Sequence, residues 1–127
     1  MLIRKNYLSE SHSIQYNLAI GNFDGIHNGH RYLLQQLKLL KKNKNQRTAV
    51  LSFIPHPVKV IAPNKWEKNL VKFRTKYNLL KSLGIDVLFL ITFSEKFSKI
   101  SAKSFITNYL VENINIQNVV VGEDFKF

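Results

Sequence analysis

The segment NLAIGNFDGIHNGHRYLLQQL, Asn17 to Leu37, decides the fold. An apolar run opens it, a glycine-rich turn follows, and an amphipathic run closes it. Tyr16 to Ile20 (YNLAI) reads as a short buried strand. From His30 onward, apolar residues recur at Leu33, Leu34, Leu37 and Leu40, which is helical spacing. Between strand and helix lies GNFDGIHNGH, which holds two of the chain's four histidines, His27 and His30.

The same alternation continues outward. TAVLSF (Thr48 to Phe53) predicts a second strand, and IPHP then stops regular structure because prolines flank His56. A second helix is expected to carry Phe73, Tyr77, Leu80 and Leu83 on one face and to end at Gly84 as its C′ residue. DVLFLITF (Asp86 to Phe93) is a third strand, nearly continuous in apolar character. Ser101 is the expected N-cap of a third helix, with Phe105, Ile106, Tyr109 and Leu110 inward. NVVV (Asn118 to Val121) is a fourth strand, followed at once by GEDFKF.

The order β-α-β-α-β-α-β implies an α/β fold: a Rossmann-like open parallel sheet, its strands buried on both faces. Right-handed crossovers are expected; if the strand order is 3-2-1-4, strands one and four are neighbours at the switch point, with GEDF facing GNFDGIHNGH. Doubly wound sheets usually carry further βα units beyond a fourth strand. Residues 1–127 are therefore expected to be the N-terminal part of a larger domain, incomplete at its C-terminal end.

Length and composition bound the function. A chain of 127 residues with 45% hydrophobic residues predicts one globular domain. No apolar run approaches the roughly 18 residues that cross a bilayer. MLIRKNYLSESHS lacks the apolar core of a signal peptide. There is no cysteine, which excludes disulfides and thiolate metal sites and suits the cytoplasm. The formal charge of +11 attracts polyanions, but the lysines are scattered. The densest cluster, Lys38 to Arg47, reads as the solvated end of a helix, so no dedicated nucleic-acid partner is expected.

The first turn carries the chemistry. In open α/β sheets, ligands bind beyond the carboxyl ends of the strands, where strand order reverses. Gly21 and Gly25 permit tight turns, and Gly29 lets a phosphate approach the backbone. A helix N-terminus presents unpaired N–H groups and partial positive charge, a ready anion site. His27 and His30 add donors there. Imidazole can be neutral or cationic near neutral pH, and a neighbouring phosphate favours the cation. Two such donors could hold the charge that builds on a pentacoordinate phosphate. Asp24 is expected to fix the turn rather than act as a base. No metal ligands are assigned, because a histidine pair at i, i+3 without a carboxylate or cysteine cluster is thin support for zinc. Neither the P-loop pattern nor the dinucleotide G-x-G-x-x-G pattern is present, which speaks against a hydride-transferring enzyme.

GNFDGIHNGH resembles the HxGH nucleotidylyltransferase signature. Its form, FDG-x-H-x-GH after Gly-Asn, is similar to the adenylyltransferase module of prokaryotic bifunctional FAD synthetases (riboflavin kinase/FMN adenylyltransferase). LSFIPHP (Leu51 to Pro57) resembles that family's F-x-PHP segment. KYNLLKSLGIDVLFLITFSEKFSKISAKSFI resembles its helix, LG-x-D turn and following loop, and VVVGEDFKF (Val119 to Phe127) its V-V-G-x-D-F-x-F segment.

The resemblance implies a reaction in which FMN and ATP, with Mg²⁺, give FAD and pyrophosphate. By that analogy His27 and His30 are catalytic, contacting the ATP phosphates. Gly21, Asn22, Phe23, Asp24, Gly25 and Gly29 form the ATP-binding turn, and Phe53, Pro55, His56, Pro57 and Asp124 border FMN. The family's module continues into a glycine-rich stretch and an I-S-S-T/S-x-I-R motif that grips ATP, and neither occurs here. The riboflavin kinase barrel is absent as well. The expected nucleotide site is therefore incomplete, and a separately encoded chain is one way to complete it. Two other readings stay open: a cytidylyltransferase for a small phosphorylated alcohol, and a non-catalytic remnant that binds nucleotide or nucleic acid.

Overall fold

The computed structural model describes residues 1–6, 13–21, 23, 28–54, 66–92 and 99–121. In chain order the elements are β1 (Leu2–Lys5), β2 (Gln15–Ile20), α1 (Asn28–Leu39), β3 (Gln46–Ile54), α2 (Trp66–Ser82) and β4 (Val87–Thr92). A last helix follows in three parts: α3 (Ala102–Ser104), a π-helical segment (Phe105–Leu110) and α4 (Val111–Asn113). β5 (Ile116–Val121) completes the described elements.

The five strands form one sheet in the order β1-β4-β3-β2-β5, and each pairing is parallel. The four strands expected from the sequence are present, and their order is the 3-2-1-4 on which the switch-point reading was conditional. The structure adds a fifth, β1, at the edge beside β4. Asn6 ends β1 at φ 54°, and asparagine tolerates that left-handed conformation better than most residues. Its Nδ2 donates to Thr92 Oγ1 (2.6 Å) and its Oδ1 accepts from Thr92 N–H (2.7 Å). The carboxyl end of β4 is thus fastened to the edge strand.

Side-chain alternation along β2 and β3 sorts the core into two layers. Tyr16, Leu18, Ile20, Leu51, Phe53 and Phe89 meet Phe105, Leu110 and Ile114 on one face. Ala19, Val50, Leu88 and Leu90 meet Leu34, Leu37 and Leu80 on the other. Helices α1 and α2 therefore cover one face and the π-containing helix the other. Each fully buried leucine or phenylalanine contributes roughly 1.5–3 kcal/mol. Leu40, expected on the apolar face of α1, instead lies one residue past the helix and is 38% exposed.

Two helix boundaries show why the sequence breaks where it does. Gly84 takes φ 82°, its N–H bonds to the Lys81 carbonyl (3.1 Å), and Ile85 N–H reaches the Leu80 carbonyl (3.2 Å). This is a Schellman cap, with buried Leu80 and Ile85 as its apolar pair. Ser101 Oγ accepts from Ser104 N–H (3.1 Å), the expected N-cap bond. Of the residues expected inward on that helix, Phe105 and Leu110 are buried and Ile106 partly so. The Tyr109 side chain lies outside the described set.

Asp86 works at the opposite, amino end of the sheet. Its Oδ2 accepts from Thr48 N–H (2.9 Å) and from Lys41 Nζ (3.4 Å). Its own N–H reaches the Thr48 carbonyl (2.8 Å), so the LG-x-D turn joins β3 to the start of β4.

Candidate functional site at the carboxyl end of β2

The candidate site is the strand-to-helix turn after β2. Gly21 continues the ladder for one more bond, its N–H reaching the Leu51 carbonyl (3.1 Å). Phe23 is buried at φ 52°, a conformation rare for a bulky side chain and a mark of backbone strain at functional turns. Its ring meets the His30 imidazole edge-to-face, with centroids 5.2 Å apart and planes at 63°. His30 stands in the first turn of α1 and is 9% exposed. The imidazole is therefore held by packing rather than free to swing.

The glycines serve differently from expectation. Gly21 permits a tight turn, but the positive φ of this turn falls on Phe23. What Gly21 supplies is room: a Cβ there would stand 3.0 Å from Phe23 Cε2 and 3.3 Å from Cζ. Gly29 was expected before the helix. It lies inside the first turn, because α1 begins at Asn28, and it is exposed. The first turn of α1 carries no acidic residue, so nothing on the helix itself opposes an anion at its positive end.

Phe53 stands near the carboxyl end of β3, on the other face of the sheet. It is 8% exposed, belongs to the core, and packs on Phe105 with ring centroids 5.8 Å apart. Phe105 opens the π-helical segment, closed by the Val111 N–H bond to the Ile106 carbonyl. Such segments are uncommon and recur at functional sites. His30 and Phe53 thus share one end of the sheet but not one face. A ligand that touches both must lie across the carboxyl edge.

β5 lies beside β2, as the switch-point topology requires. Asn118 Nδ2 donates to Asn17 Oδ1 (2.8 Å), next to a register shift between Tyr16 and Asn17. His27, Asn22, Asp24, Gly25, Pro55, His56, Pro57 and Asp124 lie outside the described residues. Among the described residues no three His, Asp or Glu side chains gather as a metal site, and no helix is long and apolar enough to cross a membrane.

One polar group at this end was not foreseen. Lys76 of α2 is 7% exposed, and its Nζ donates to buried Ser52 Oγ at 3.0 Å. A signal existed. Lys76 falls three residues after Phe73 and four before Leu80, on the apolar face of α2.

Fold and turn together define a doubly wound α/β protein with a histidine-bearing bend at the carboxyl edge of its sheet. The chain belongs to the FAD synthetase family, whose model matches residues 9–127. It is 37% identical over 110 residues to the bifunctional riboflavin kinase/FMN adenylyltransferase of Buchnera aphidicola subsp. Schizaphis graminum, covering 87% of this chain and 35% of that protein. The proteins of the same description from Escherichia coli K12 and Bacillus subtilis are each 36% identical, with the same coverage. The chain thus spans about a third of the length of these relatives. Its fold also matches the crystal structure of a macrolide-efflux protein from Streptococcus pneumoniae, with a TM-score of 0.66 and 21% identity over 100% of this chain and 43% of that one. That likeness concerns the fold alone.

Proposed function

We propose that residues 1–127 form the N-terminal part of an FMN adenylyltransferase domain, which transfers AMP from ATP to FMN. One FMN phosphate oxygen attacks the α-phosphorus of ATP. The bond to the β-phosphate oxygen breaks, and pyrophosphate leaves with the electron pair. No covalent enzyme intermediate is needed. Mg²⁺ arrives with the ATP phosphates, as it does in sites that lack a cage of their own.

The chain's own residues bind and orient. The α1 N-terminus and Gly29 receive phosphate, and His27 and His30 donate to the oxygens that gain charge in the transition state. Gly21, Asn22, Phe23, Asp24 and Gly25 shape the turn. Phe53, Pro55, His56, Pro57 and Asp124 border the flavin across the sheet edge. The cytoplasm supplies the substrates. The observation that carries this reading is the strained turn in which Phe23 holds His30 at the carboxyl end of β2.

The test offers two substrate pairs, MgATP with FMN and CTP with glycerol phosphate. The account expects binding of ATP and FMN, with FAD as the product. His30→Ala should lower FAD formation about 10²–10³-fold, as for loss of one oxyanion-type donor. A cytidylyl product from the second pair would overturn the assignment.

A further inference from the structure

The end of α1 opposite the bend carries a patch that nucleotide binding does not use. Lys38, Lys41, Lys42 and Lys44 are all exposed, and between them stand Leu39 at 75% and Leu40 at 38% exposure. Lys38 reaches across to the end of α2, where its Nζ lies nearest to the place a Gly84 Cβ would take. Lys81, exposed in the last turn of α2, belongs to the same end of the molecule. The turn that presents the lysines is held in place. Lys42 N–H donates to Gln46 Oε1 (2.7 Å), Asn45 N–H to Asn43 Oδ1 (2.9 Å) and Gln46 N–H to the Asn43 carbonyl (3.2 Å). Among the described side chains the acidic residues are Asp86 and Glu112. Glu112 belongs to α4, and Asp86 already accepts from Lys41 and Thr48 N–H. The patch therefore keeps a net positive charge.

Helix dipoles account for Lys38 and Lys81, the basic residues in the last turns of α1 and α2. They do not account for Lys42 and Lys44, which lie past the end of α1, or for two leucines left in water. A single exposed leucine needs no explanation. Two in a row, bracketed by lysines, match an interfacial contact. A polynucleotide would reward the lysines, but the sequence holds no aromatic residue between Tyr32 and Phe53 on which its bases could stack. An anionic lipid surface rewards both kinds of side chain: headgroup phosphates attract the ammonium groups, and the acyl boundary takes the leucines.

We propose that the turn from Lys38 to Lys44 is a peripheral docking site for an anionic phospholipid surface, with Leu39 and Leu40 entering the headgroup boundary. Helix α1 runs from the bend to this turn, so a docked chain keeps the bend toward solvent. The contact does not depend on what the bend binds.

Co-sedimentation with vesicles tests it, using phosphatidylcholine alone and phosphatidylcholine mixed with phosphatidylglycerol, at about 0.15 M salt. The chain should bind the mixed vesicles and not the neutral ones. Lys42→Gln combined with Lys44→Gln should weaken that binding roughly 20-fold, from about fivefold for each lysine. Leu39→Gln should weaken it roughly tenfold. Lys99→Gln combined with Lys103→Gln removes the same charge beside the helix on the other face of the sheet, and should change binding less than about twofold. All five side chains are exposed, so each variant is expected to melt as the wild type does. Equal losses in the two double variants would show attraction by net charge alone and overturn the proposal, as would failure to bind anionic vesicles. Unchanged binding in Leu39→Gln overturns it as well, because a site that uses only the lysines is not an interfacial one.

Discussion

Phe23 holds a left-handed backbone that costs of order 1–3 kcal/mol for a residue with a side chain. Burial of its ring and the contact with His30 compensate for it. Gly21 is part of the same device, because the Phe23 ring occupies the space where a Cβ would stand. Gly21→Ala should therefore push the ring toward His30. An overpacking cost of roughly 1–3 kcal/mol is expected, read as a lower urea midpoint together with weaker ATP binding. An unchanged midpoint and affinity would contradict the packing assigned to these three residues. The glycine itself stood out in the sequence, but its reason did not. Composition shows that a position is small, not which neighbour needs the space.

At the scale of elements, the caps were legible because their chemistry is local. Gly84 ends α2 through a Schellman motif, and Ser101 begins the last helix. Gly84→Ala forces a Cβ into a left-handed residue and should cost about 1–2 kcal/mol, measured by urea unfolding. The nearest atom to that Cβ is Lys38 Nζ, the movable end of a side chain, so the backbone sets the cost. No loss of stability would contradict the cap. The π-helical segment was not legible, since π and α turns share the same apolar spacing over one or two turns. Lys76 was hidden for a different reason. Lysine is normally assigned to the solvent face, and its helical spacing with Phe73 and Leu80 was outweighed by its charge.

For the whole molecule, four strands followed from apolar runs separated by helical spacing, while their order was a topological assumption that the structure bears out. β1 did not, because LIRK has two apolar residues and no alternation, and its pairing partner lies more than eighty residues away in β4. Strand order matters to function because it sets β5 beside β2, so that the bend opens at the place where the sheet changes direction. The candidate site was legible as a motif. Its geometry was not: a sequence does not reveal that His30 is packed on Phe23, nor that Phe53 occupies the opposite face. β5 differs from its neighbour β2, with residues that alternate between half-buried and exposed while β2 is buried from Tyr16 to Ile20.

The central claim is that the bend between β2 and α1 receives the phosphates of a nucleotide. Backbone amide NMR during an ATP titration tests it most directly. Shifts concentrated at Gly21, Phe23, Gly29 and His30, with Gly84 and Asp86 at the far end unmoved, are the predicted result. Shifts confined to the lysine-rich end of α1, or none at the bend at saturation, would contradict it.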